Sequence, residues 1–181
     1  MKFGTVRKKW LLSWVLPALL VVLFFYIRYQ YLKPGLKHGT QAPDFSALSL
    51  QGDTLRLAEL NSDKYVLLYF WGSWCSVCRK ENPKWIPVYE RWAASGKFEI
   101  VGIGIEQQAS RWQAAIKRDA LPWPLQLADG VGLNLEPASV SDLYEIKSVP
   151  SKYLLKPGGT IIAVNPSPRQ VNRLLEKFLG E

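Results

Sequence analysis

The chain contains two cysteines, Cys75 and Cys78, in the stretch "WCSVC". Thiols at this spacing could be half of a metal site, a structural bridge, inert core residues or a redox couple. A structural zinc needs four ligands, usually in two pairs. This chain offers one pair and a single histidine, His38, so no metal is expected. A disulfide closing so short a loop removes little entropy from the unfolded chain, because that stabilisation grows with loop length. Inert thiols prefer a hydrophobic face, whereas these follow Gly72 and Ser73 after an apolar run. That junction suits redox chemistry. A helix starting near Cys75 places its sulfur where free N–H groups and the helix dipole stabilise a thiolate. Cys78 then shares its face, with the two Cα atoms about 5 Å apart, inside the disulfide range of ~4.4–6.8 Å. Cys75 becomes the exposed, attacking thiol and Cys78 the more buried, resolving one.

The flanking elements must hold that junction. "YVLLYFW" (65–71) is a continuous apolar run of strand length, expected to be buried on both faces. A helix over 77–94 follows, with Trp85, Val88, Tyr89 and Trp92 at helical spacing and Pro83 expected to kink it. Upstream, 45–57 alternates around Gln51-Gly52-Asp53, a hairpin signal. Downstream come a buried strand at 98–105 and a helix at 110–120 with Ser110 as its cap. A short strand is expected within 121–129 and a short helix at 139–146. Strands at 151–157 and 160–165 flank Gly158-Gly159, and a last helix covers 168–179. Strands alternating with helices before a terminal hairpin indicate an α/β sandwich around a mixed sheet. Trp71, Trp85, Trp92, Trp112 and Trp123 read as core or groove wall. Gly102 and Gly104 make no nucleotide fingerprint, because no third glycine opens a helix.

The net charge of +8 over 181 residues raises the possibility of nucleic acid. Its distribution argues against it. Residues 1–37 carry seven Lys/Arg and no acid, while the remainder balances sixteen Lys/Arg against fifteen Asp/Glu. No basic patch interleaved with aromatics is present to track a phosphate backbone. Trp10 to Ile27 is instead an uncharged apolar run. As a helix it would be about 27 Å long, close to the ~30 Å hydrocarbon core of a bilayer. Pro17 is tolerable there. A cleaved signal peptide would need small residues in an A-x-A-like pattern, where this chain has "RYQYLK". The expected organisation is a basic cytoplasmic tail (1–9), an uncleaved transmembrane anchor (10–27), a linker (28–43) and a folded domain (44–181). Lys2, Arg7, Lys8 and Lys9 ahead of the run, against Arg28 and Lys33 after it, favour a cytoplasmic N-terminus and a domain across the membrane.

The chain resembles the thioredoxin superfamily, and within it the membrane-anchored TlpA/ResA-type thiol–disulfide oxidoreductases. The resemblance rests on "APDFSALSLQGDTLRLAEL", "YVLLYFWGSWCSVCRKENP", "VGIGIE", "LPWP" and "SVPSKYLLKPGGTII", in the family's order through nearly all of 40–165. It implies a thioredoxin-like three-layer sandwich with a mixed central sheet, preceded here by the transmembrane helix. It implies a cis-proline at Pro150 facing the cysteines, Trp74 flanking the active site and "LPWP" in the family's extra central segment. Glu81 matches an acid of these proteins; by its spacing alone it reads equally as a solvated acid near the helix start. Two departures stand out. Val77 replaces a frequent proline, which leaves the redox potential open. Tyr69 stands where plain thioredoxin has a buried acid, which leaves open the group that handles the Cys78 proton.

The implied function is reduction or exchange of protein disulfides, apocytochromes among them, outside the cytoplasm of a bacterium. A membrane electron donor is implied and no bound cofactor. The domain would be held on the periplasmic side of the inner (plasma) membrane by a single pass. An oxidase or isomerase is the same chemistry at another potential. A peroxidase would need P-x-x-x-T-x-x-C, for which this chain has Leu68 and Gly72 in place of proline and threonine. A non-catalytic module holding a partner in a groove near Pro150 is the third class.

Overall fold

The apolar run at 65–71 forms the middle of the molecule. In the structure, a computed structural model, residues 4–50, 52–106, 108–129 and 139–180 are described. Strand β3 (Tyr65–Trp71) is buried from Val66 onward, as a strand covered on both faces must be. It pairs in parallel with β4 (Phe98–Ile105) and antiparallel with β6 (Ser151–Leu155). Outside these lie β5 (Gln126–Asp129) and β7 (Ile161–Val164), giving the order β5-β4-β3-β6-β7. The β6–β7 turn uses Gly158 and Gly159 at φ 83° and 85°, where a side chain is disfavoured.

Two hydrophobic layers flank this mixed sheet. Alternation along β3 sends Leu67, Tyr69 and Trp71 to one side, against Trp85, Val88 and Trp92 of α3 (Ser76–Ala93), Trp112 of α4 (Ala109–Arg118) and Leu175 of α6 (Pro168–Leu179). Val66, Leu68 and Phe70 go to the other side, against the antiparallel hairpin β1 (Ser46–Leu48) and β2 (Thr54–Arg56), α2 (Leu57–Leu60) and α5 (Val140–Leu143). The result is the expected thioredoxin-like α/β sandwich. The hairpin stands where the alternation put it; Gln51 in its turn lies outside the described residues. The five tryptophans are core. Gly102 and Gly104 are packing glycines, since a Cβ on either would run into Gln126 or the Trp112 ring.

Some expectations change. The α4 cap is Gln108 with no side-chain bond, so Ser110 already sits inside the first turn and caps nothing. Helix α5 stops at Leu143 rather than 146. Helix α3 carries Pro87 as well as Pro83 within its span.

The N-terminal unit ends at Lys33, and a second compact unit starts at Pro34. Helix α1 runs from Gly4 to Tyr31, longer than the expected 10–27, and carries Pro17. Its Trp14–Tyr31 stretch is long and apolar enough to cross a membrane. Part of the expected linker belongs with the domain: Gln41 bridges Thr160 and Ala42 is buried.

Candidate active site

Strand β3 delivers the chain to Gly72 and Ser73, and α3 begins at Ser76. A Cβ at Gly72 would come within 2.6 Å of the Trp74 indole nitrogen, so the close turn needs glycine there. The loop is held from the next strand. Glu106, buried just beyond β4, accepts the Ser73 N–H, and its other oxygen lies 3.1 Å from Ser73 Oγ. Trp74 is 66% exposed and donates its indole N–H to the Ile105 carbonyl at 2.9 Å.

Cys75 is the N-cap of α3, and its Sγ accepts the Cys78 N–H at 3.1 Å. The two cysteines are joined as a disulfide with Cα atoms 5.3 Å apart, the geometry expected from helical spacing. Cys75 is 7% exposed and Cys78 0%. The order of exposure matches the expectation, but Cys75 is only narrowly open. No acid stands in the first turn of α3, so nothing there opposes a thiolate at its positive end.

Across the pair lies β6. The Val149–Pro150 bond is cis, and the Val149 carbonyl oxygen is 3.8 Å from Cys75 Sγ. The Val149–Pro150 peptide thus stands beside the pair through its carbonyl, with the cis bond that the resemblance implied. Trp74 and Val77, 66% and 61% exposed, make the rim apolar.

Beneath the cysteines is a polar network that sequence reasoning found only at Glu81 and Tyr69. Glu81 is on α3, one turn past Cys78, and its Oε1 accepts from Lys152 Nζ of β6 at 2.7 Å. Tyr69 donates its hydroxyl to Asn82 Oδ1 at 2.9 Å, with the Cys78 carbonyl at 3.5 Å. Asn82 donates to Asp119, which also pairs with Arg79. Burial first, then the charges of Glu81 and Asp119, push the Tyr69 hydroxyl far above the ordinary phenol range. Tyr69 therefore stays protonated and cannot replace the buried acid of plain thioredoxin as a proton acceptor. Lys152, Glu106, Asn82 and Asp119 were not foreseen. The one signal for Glu106 was its place at the end of "VGIGIE", directly after a buried strand. Among the described residues no group of three or more His, Cys, Asp or Glu could hold a metal ion.

A disulfide-forming C-x-x-C at a strand-to-helix junction, opposite a cis-proline, in a five-stranded mixed sheet defines a thioredoxin-fold thiol–disulfide oxidoreductase. The chain belongs to the AhpC/TSA family, whose sequence profile matches residues 38–164. It is 30% identical to the thioredoxin-like protein YneN of Bacillus subtilis over 158 residues, 82% of this chain and 86% of that protein. It is 27% identical to the thiol–disulfide oxidoreductase ResA of the same organism over 132 residues, 73% of this chain and 69% of that one. Among solved structures it resembles the thioredoxin domain of a thiol–disulfide oxidoreductase from Bacteroides vulgatus. That match has a TM-score of 0.69 and 29% identity, covering 80% of this chain and 99% of the other. A thiol:disulfide interchange protein from a Bacteroides species superposes at TM-score 0.68 with 30% identity, covering 81% and 92%. Cys75 and Cys78 are the redox-active pair of this protein.

Proposed function

We propose that this oxidoreductase is a reductase of protein disulfides working outside the cytoplasm, with α1 as an uncleaved single-pass anchor in the bacterial inner (plasma) membrane. The Cys75 thiolate attacks one sulfur of a substrate disulfide. The substrate S–S bond breaks, a substrate thiolate leaves and a mixed disulfide forms. The Cys78 thiolate then attacks Cys75 Sγ, releasing the second substrate thiol and closing the Cys75–Cys78 disulfide. Two electrons pass to the substrate, and a dithiol donor at the membrane restores the pair. Glu81 takes the Cys78 proton. Trp74 and Pro150 border the groove for an extended substrate strand, such as a disulfide-bonded apocytochrome, which the Val149 carbonyl can meet as a β-type partner.

One observation carries this reading: the N-cap of α3 is the sulfur of Cys75 itself, so the helix end stabilises the form that attacks. The test is insulin reduction by the full chain in detergent, with Cys78→Ala used to trap substrates. Turnover, with trapped species joined through Cys75, is expected. A reduction potential near −120 mV rather than near −270 mV would make the protein an oxidant instead. Sidedness is checked by a phosphatase fused after Glu181, expected to be active only outside the cytoplasm.

A further inference from the structure

Lys152 is the one charged residue in the buried length of β6, a strand buried on both faces from this position onward. Its register partner on β3 is Tyr69, the strand residue that reaches under the cysteines. A lysine there must find a counter-charge or lose its own. It finds Glu81: the Lys152 and Glu81 side chains are only 6% and 19% exposed. The ammonium also sits 5.5 Å from the Tyr69 ring centroid and 5.7 Å from that of Trp85, distances at which ring faces favour a cation.

We infer that Lys152 is a positioning residue for thiol chemistry, setting through Glu81 the charge that the cysteine pair meets. This rests on the reading that Glu81 serves the pair. Alone, a carboxylate one turn past Cys78 would repel the thiolate and raise the pH at which it forms. Bound to Lys152, the two charges cancel, and the pair meets an oriented but nearly neutral group. The other groups around the site are the same in every variant compared, Glu106 on the Ser73 loop among them, which is held by the Ser73 N–H and hydroxyl. From β3, Tyr69 is a neutral donor. From α3 and α4, Arg79 and Asp119 are paired with each other. Among the described residues no other charged side chain is bonded to Lys152, and its backbone N–H is taken by Asn165 Oδ1. The lysine also fixes one carboxylate oxygen, Oε1, from β6.

The test is the pH dependence of alkylation of the reduced full-length protein, in detergent, by iodoacetamide. Lys152→Met leaves Glu81 uncompensated and is expected to lower the alkylation rate at pH 7 about tenfold, a displacement of the profile toward higher pH. Lys152→Arg, which keeps the charge, is expected to stay within about threefold of the parent. The double variant Glu81→Gln/Lys152→Met removes both charges and is expected to return near the parent profile, an outcome no packing defect would produce. The inference is overturned if folded Lys152→Met, checked by a cooperative urea transition, keeps the parent profile. It is equally overturned if the double variant is displaced as far as the single one. Failure of the functional reading looks different: the parent protein itself would then show no rapid alkylation and no insulin turnover. If Lys152→Met does not fold, Lys152→Gln in the same assay carries the same expectations.

Discussion

Helices α3 and α6 begin with the same device and use it for different ends. At α6, Ser167 Oγ accepts the Gln170 N–H at 3.3 Å, and Gln170 Oε1 accepts the Ser167 N–H at 3.4 Å, a closed capping box. Pro168 fills the next position and Gly180 ends the helix in the left-handed region. At α3 the capping atom is the sulfur of Cys75, and nothing from the first turn reaches back to close a box. The α6 end is fully committed to holding the fold. The α3 end gives its positive pole to the sulfur of a redox-active cysteine. Its orientation is secured from outside, by Glu106 on the Ser73 loop and by the Arg79–Asp119 pair. At α3 the cap serves reactivity and other residues supply the rigidity, whereas at α6 the cap itself supplies the rigidity.

That contrast is sharpest at the caps themselves. Replacing Cys75 by serine keeps a capping oxygen and is expected to preserve the fold while reducing disulfide exchange to background, a loss of at least about a thousandfold. Insulin turnover and the urea midpoint measure the two halves of this claim. Residual exchange within tenfold of the parent would break the comparison.

Asp119→Ala attacks the outside support. It removes a partly buried ion pair and the acceptor of Asn82, and should destabilise the protein by about 2–4 kcal/mol. Exchange should slow as well, because the second turn of α3 loses its tie to α4. Stability loss with unchanged exchange would show that α3 needs no such tie.

Ser167→Ala is the control at the other helix. It should cost about 1 kcal/mol, read from denaturant unfolding, and leave the exchange rate untouched.

The smallest effect is expected at Glu99, away from both helix ends. Burial, its largest influence, raises its carboxyl above the ordinary value despite hydrogen bonds from Ile100 and Tyr89 and the charge of Lys64. Tyr89 beside it is pushed up to about 12 by burial and by the Glu99 charge. A carboxyl raised in the fold contributes stability below its unfolded value, and loses it as pH rises through the folded value. Glu99→Gln should therefore stabilise slightly at pH 7, by roughly 0.5 kcal/mol, and not at pH 3, where the acid is protonated in both states. Urea midpoints at the two pH values check this.

The sequence made some of this legible and hid the rest for physical reasons. β3 was readable because a strand covered on both faces must be apolar throughout, and the C-x-x-C junction because its spacing alone sets the geometry. The Ser110 cap misled because a serine near a helix start looks the same one residue inside the helix as at the cap. Lys152 was hidden for a stronger reason: in "SKYLL" a lysine reads as a solvent-facing strand position. Only the Tyr69–Lys152 register and the cover of α3 bury it. Glu81 was visible as a helix-face neighbour of Cys78, but its charge balance depends on a residue 71 positions away. Long-range pairings of this kind carry no local periodicity, so the network beneath the cysteines emerges only once the sheet is assembled.

The central claim is that the α3 cap makes Cys75, rather than Cys78, the attacking thiol. Its most direct test is to reduce the full-length protein and treat it at pH 7 with a substoichiometric amount of iodoacetamide. Mass spectrometry then locates the label. Most of the label is expected on Cys75, with Cys78 modified only slowly. Label shared equally, or found mainly on Cys78, would contradict the account.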